Sequence, residues 1–232
     1  MYTLYIANKN YSSWSLRPWV LMRELAIPFE EKLCPFQGNA SGEAFRAFSP
    51  TGKVPCLGDG EIVVWDSLAI VEYLAERENG VWPEGSIARA WARSASAEMH
   101  SGFAALRDQC SMHCGFRIRV HAMSPELEQD INRIDAIWCD GLQRFGGPFL
   151  AGDKFTAVDA FYAPVAFRVQ TYGLALSEQS ADYVKKLLAL DSMRNWEGAA
   201  LQEPWRESAH EEAALKAGVL LADHRQDRKS VG

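Results

Sequence analysis

The order of strand, helix and turn signals in the first 80 residues limits this chain most sharply. Residues 2–7 (YTLYIA) alternate aromatic and β-branched side chains as a short strand does. Residues 16–26 follow as a helix, with Pro18 tolerated in a first turn that lacks intrahelical N–H partners. A second strand is expected over 29–34 (FEEKLC). The runs 54–57 and 62–65 flank Gly58-Asp59-Gly60, and Asp-Gly between apolar runs signals a hairpin. Residues 66–78 then place Leu68, Val71, Leu74 and Ala75 on one helical face. A β-α-β start joined to a hairpin and a helix folds as one mixed-sheet α/β unit.

Residues 80–85 (GVWPEG) break the pattern. Beyond them the spans 88–121, 125–145, 157–173, 178–190 and 205–221 read as helices, so an all-helical unit follows the α/β one. The expected division is 1–80 and 88–222, a linker at 81–87 and a frayed polar tail over 223–232.

Charge and cysteine content exclude several classes. Against 24 Lys plus Arg stand 30 Asp plus Glu, a net charge of −6, with no basic surface to displace counterions from nucleic acid. Five scattered cysteines (Cys34, Cys56, Cys110, Cys114, Cys139) fit a reduced, cytoplasmic protein. No basic leader with an apolar core precedes residue 9, and no run of about 18 apolar residues occurs. Cys110, His113 and Cys114, with His100 upstream, have zinc-like spacing but no further ligand completes the set, so no metal is expected.

Three places combine residues suited to one small ligand. Ser12, Ser13 and Ser15 lie between the first strand and the first helix, where hydroxyls either cap the helix or meet an anion drawn by its dipole. Lys53-Val54-Pro55 opens a short strand with a proline, as an edge, a turn or a cis bond does. A cis bond would turn the amide and carbonyl of Val54 outward to pair with a peptide ligand. Asp66-Ser67 starts the helix over 66–78 and serves as an N-cap or as a carboxylate-binding helix start. In the second unit, Thr156 and Asp159 form a capping box with Asp in place of Glu or Gln. Loss of Asp159 is expected to remove roughly 1 kcal/mol or more.

Taken together these strings resemble the glutathione transferase family over nearly the whole chain. Residues 49–55 (SPTGKVP) are similar to its stretch leading into a cis-proline, and 66–67 to its Glu/Gln-Ser helix start. Residues 12–17 (SSWSLR) are similar to the Ser-Ser-Cys-x-x-Arg loop of the zeta class, with Trp14 in the place of cysteine. Residues 152–159 (GDKFTAVD) are similar to its internal capping box.

The resemblance implies a thioredoxin-like first domain, a helical second domain, a cytoplasmic homodimer, a role in detoxification and glutathione as co-substrate without metal. It implies Ser12 or Ser13 as hydrogen-bond donor to the glutathione thiol. Lys53, Val54, Pro55, Asp66 and Ser67 become the glutathione site, and Trp14, His113 and Arg117 the walls of an electrophile pocket. For the dimer, Ile70 and Tyr73 form a second apolar stripe on the helix over 66–78. The alternatives are isomerisation of the maleylacetoacetate type, for which Thr171 stands where the zeta class has arginine, and a non-catalytic interaction module. A glutathione-dependent disulfide reductase would need a cysteine in the serine loop, and none is there.

Overall fold

The computed structural model describes residues 1–225. The first sheet runs in the order β2-β1-β3-β4, from β1 (Tyr2–Ile6), β2 (Phe29–Leu33), β3 (Cys56–Asp59) and β4 (Ile62–Trp65). β1 pairs parallel with β2 and antiparallel with β3, which pairs antiparallel with β4. This is the expected parallel crossover with an antiparallel hairpin, with two local corrections: Gly58 and Asp59 are paired within β3, so Gly60-Glu61 makes the turn, and the first helix begins at Ser13, so Pro18 lies inside it and not in its first turn. The crossover holds α1 (Ser13–Glu24), while α2 (Ser41–Phe45) leads to β3 and α3 (Ser67–Ala75) follows β4. Leu4, Ile6, Leu16, Val20, Leu57, Val71 and Leu74 close the core between sheet and helices.

The second domain is helical: α4 (Ser86–Ser101), α5 (Ala104–Gln109), α6 (Pro125–Phe145), α7 (Ala157–Tyr172), α8 (Glu178–Leu188), α9 (Asp191–Gln202) and α10 (Ser208–Leu215). α7 is apolar around nearly its whole circumference and runs through the middle, against α1 on one side and α4 on another. Its start is the expected capping box. The Asp159 carboxylate accepts the Thr156 N–H at 2.9 Å, the Leu150 N–H at 3.0 Å and the Tyr183 hydroxyl at 2.8 Å.

Three readings of the second unit are corrected. The span 88–121 is not one helix: Gly102 is extended and Phe103 left-handed at φ 59°, which ends α4 and turns the chain into α5. β5 (Phe116–Val120) follows, since apolar and arginine side chains alternate there with period two. β5 pairs antiparallel with β6 (Gly218–Asp223), so the expected helix over 205–221 stops at Leu215. A Cβ at Gly218 would come within 2.0 Å of the Arg119 carbonyl oxygen, so the close approach of these strands requires glycine there. α9 was not anticipated. Nor is the start of the expected tail frayed: Asp223 ends β6 and Arg225 is buried, while 226–232 lie outside the described residues. Among the described residues no helix is long and apolar enough to cross a membrane.

Candidate functional site

The loop between β1 and α1 places its serines differently from one another. Ser12 is the N-cap of α1, yet its side chain makes no capping bond; its hydroxyl donates to Ser15 Oγ at 2.7 Å. Ser15 Oγ also accepts the Ala7 N–H at 3.3 Å, so this pair fastens the loop to the end of β1. Ser13 opens α1 and is buried, as Ser12 is. Its N–H donates to the Tyr11 carbonyl at 2.9 Å, and its hydroxyl has no partner among the described residues.

Arg17 lies one turn beyond Ser13, on the same side of α1. It is almost entirely buried, with its guanidinium 4.1 Å from the Trp14 ring centroid and 4.9 Å from that of Phe161. Burial, then Arg107 and Arg168, holds its pKa well below the ordinary value. Nη1 donates to Ser67 Oγ at 3.4 Å, while Nε is buried without a partner. Because the Ser67 oxygen accepts from Arg17, its own proton is free to point elsewhere.

Ser67 opens α3 and is 1% exposed. Asp66, just before it, has φ 74°, an uncommon conformation for a residue other than glycine. One of its carboxylate oxygens accepts the Leu68 N–H at 2.7 Å, and the other lies 3.5 Å from His100 Nε2 on α4. The capping reading of Asp66 is therefore realised, with one oxygen left toward the second domain. Val54-Pro55 is a cis peptide bond. Neither the N–H nor the C=O of Val54 meets a partner among the described residues. Pro55 is buried behind it, and Lys53 is exposed.

The other expected pocket residues sit elsewhere. Trp14 is half-buried against two cations, with Arg107 4.7 Å from its ring centroid in addition to the Arg17 contact. His113 does not line an open pocket. It is fully buried, stacks on Phe116 at 3.6 Å between centroids, accepts the Phe116 N–H at Nδ1 and meets Asn10 Nδ2 at Nε2. Arg117 belongs to β5 rather than to a helix end, and its guanidinium is spent on the Cys114 and Phe116 carbonyls and on Glu197. α5 ends before Cys110, so the Cys110, His113 and Cys114 string shares no helix face. Among the described residues no group of three or more His, Cys, Asp or Glu is arranged to hold a metal ion.

Burial, followed by the charges of Arg225, Arg206 and Arg117, lowers the His113 pKa from 6.5 to about 3. Between those values the unfolded chain carries a proton there and the native protein does not. The stability His113 contributes is therefore full above about 6.5 and lost as pH falls toward 3. Denaturant unfolding is expected to show a loss of about 3 kcal/mol from this group between roughly pH 7 and pH 4. A His113→Gln variant should show a visibly flatter pH dependence; an equally steep one contradicts this account.

Sequence reasoning placed Arg17 in the loop motif but gave it no role in the site, and it missed the residues that grip the loop from outside. The place of Arg17 beside Ser13 was legible from the i, i+4 spacing. Glu203, which accepts the Lys9 N–H at 2.6 Å, left no signal because its partner lies 194 residues away.

Known proteins share this arrangement of domains. Residues 11–77 match the family description "Glutathione S-transferase, N-terminal domain" and residues 89–200 match "Glutathione S-transferase, C-terminal domain". Glutathione S-transferase GstB of Escherichia coli K12 is 30% identical over 179 residues, covering 72% of this chain and 83% of that protein. Dichloromethane dehalogenase of Methylorubrum extorquens is 41% identical over 61 residues, which is 25% of this chain and 21% of that protein. A glutathione transferase homolog from Burkholderia GL BGR1, solved with bound glutathione, superposes with a TM-score of 0.65 at 20% identity. That superposition covers 86% of this chain and 97% of the other.

Proposed function

This chain belongs to the glutathione S-transferase family, and from that premise we propose that it binds glutathione and ionises its thiol with the Ser13 hydroxyl. The thiolate then attacks a soft, apolar electrophile. The observation that carries the proposal is that Val54, Ser67 and Ser13 all present hydrogen-bonding capacity that the protein itself leaves unspent. Glutathione calls for that set. Its cysteinyl backbone needs strand-like partners, supplied by the N–H and C=O of Val54. Its γ-glutamyl carboxylate needs a helix N-terminus and a donor, supplied by α3 and the Ser67 hydroxyl. Asp66 is placed for the ammonium group.

The thiol must also lose its proton. A free thiol with a pKa of about 8.5 is only about 3% thiolate at neutral pH. Of the two serines, Ser13 is preferred because Ser12 already donates to Ser15. The start of α1, which no side chain caps, adds the favourable end of a helix dipole. Maleylacetoacetate-type isomerisation gains no support. Thr171 is buried and bonded to the His113 carbonyl, and Arg168 donates to the Cys110 and Pro164 carbonyls.

Ultraviolet absorbance of the thiolate, followed against pH in the glutathione complex, tests the proposal. A bound thiol titrating well below its aqueous value is expected. Absence of binding, or an unshifted thiol, overturns it.

The homodimer is proposed on a different face from the one first expected. Ile70 is fully buried in its own domain and Tyr73 donates to Asp59, so that stripe is spent. β4 is instead the sheet edge, and Ile62, Val63 and Trp65 on it are exposed, as is Ile87 on α4 at 70%. An apolar edge strand of this kind is a pairing surface unless covered. Sedimentation at micromolar concentration is expected to show a dimer that Trp65→Glu dissociates; a monomeric parent chain removes the claim.

A further inference from the structure

The loop carrying Ser13 is gripped by groups from the far end of the chain. The Glu203 carboxylate accepts the N–H groups of Lys9 and Asn10 at 2.6 and 3.4 Å. The Trp196 indole donates to the Lys9 carbonyl at 2.8 Å, and the Asn10 carbonyl accepts the Cys114 N–H at 3.2 Å. One residue before Ser12 stands Tyr11, whose hydroxyl accepts from Arg225 Nη1 at 2.6 Å and from the Glu207 N–H at 3.2 Å, and donates to Glu211 at 2.8 Å. With that oxygen fully engaged, Tyr11 has no proton to offer a ligand.

Arg225 is the keystone of this arrangement. It is 4% exposed, and the same guanidinium reaches Glu211 at 3.1 Å and the carbonyls of Glu203 and Trp205. Its seat is shaped for it: a Cβ at Gly115 would stand 2.6 Å from Arg225 Cγ and 3.0 Å from Cδ. Gly115 also accepts the His224 N–H at 2.8 Å through its carbonyl. Tyr11 passes the constraint on, because its own carbonyl accepts the Ser13 N–H.

We infer that Arg225 is a positioning residue for thiol activation: by clamping Tyr11 it fixes the direction in which Ser13 presents its hydroxyl. The inference rests on the assignment of Ser13 made above. A hydrogen bond from a serine hydroxyl weakens steeply with misalignment, so a loop that rocks by a fraction of an ångström loses thiolate without losing the tripeptide, whose ends are held by Val54 and Ser67.

Arg225→Gln, Arg225→Lys and Gly115→Ala, the last of which crowds the arginine stem without touching a polar group, test this together. In Arg225→Gln the glutathione Kd is expected to stay within about twofold. The bound thiol pKa should rise by about one unit and kcat at neutral pH fall about threefold, as the thiolate fraction drops from about three-quarters to about one quarter. Lysine should restore most of that loss, Gly115→Ala should shift in the same direction as the glutamine variant, and amide exchange over residues 9–13 should quicken in the ligand-free variants. An unchanged thiol pKa and kcat in Arg225→Gln, beside a parent chain that does lower the thiol pKa, overturns the inference alone. So does a rise in Kd together with a fall in kcat and melting temperature and no rescue by lysine, which marks a purely structural residue. A parent chain whose bound thiol titrates as in water overturns the Ser13 reading and this one with it.

Discussion

Replacing Ser13 with alanine is expected to remove most of the glutathione thiolate at neutral pH while leaving the tripeptide bound. If the hydroxyl and the helix start lower the thiol pKa by about two units, the bound thiol is about three-quarters ionised, against about 3% without them. Removing the whole shift corresponds to about 2.7 kcal/mol and a drop in kcat of about 25-fold. The loss should carry a pH signature: it closes as the pH passes about 8.5, where the thiol ionises unaided. Stopped-flow turnover with an excess of electrophile, read across pH, measures it. Ser12→Ala should behave differently, loosening the loop through Ser15 and the Ala7 amide without a comparable change in thiol titration. If the two variants exchange these phenotypes, Ser12 is the donor.

The second large effect is on folding. Asp159→Ala is expected to destabilise the protein by about 3–5 kcal/mol, several times the loss expected from a surface cap. The carboxylate is fully buried and accepts two backbone N–H groups as well as the hydroxyls of Thr156 and Tyr183. Alanine strands all of them in a dry interior. For a chain of this size the melting temperature should fall by about 10 °C. Burial, opposed by these donors, pushes the Asp159 pKa from 3.8 to about 6. Between those values the native protein holds a proton that the unfolded chain has released, so the stability Asp159 adds declines as pH rises through that window. The deficit of the alanine variant should therefore widen on acidification from pH 6 toward pH 4. The glutathione affinity of the folded fraction should be unaffected; a well-folded variant that no longer binds glutathione contradicts a structural role.

The local order of signals determined the first domain. An alternating strand, a following helix and a glycine-turned hairpin each obey short-range rules, and two of the three strand pairings, β1 with β2 and β3 with β4, join neighbours in sequence. The residues proposed to hold the ligand were legible for the same reason: Ser13, Val54 and Ser67 lie at or beside element boundaries that residue type alone marks. The capping box at Thr156 and Asp159 was likewise readable, since its two partners are three residues apart.

What the sequence could not decide is everything that depends on partners far along the chain. Residues 116–120 and 218–223 become strands only because they find each other, a pairing that no local window contains. His113 and Arg117 carry the chemistry of a pocket wall, but β5 turns one into the core and ties the other to backbone carbonyls and Glu197. Ile70 has a helical spacing compatible with either a core or an interface, and only the packing of α3 on its own sheet assigns it to the core. Ser12 and Ser13 are adjacent and chemically identical; one hydroxyl is taken by Ser15 and the other is left free by the path of the loop. That path is held in turn by Glu203 and Arg225 from the other end of the chain. Local propensity specifies elements and their ends, while the direction of a side chain and the company it keeps are set by the tertiary fold.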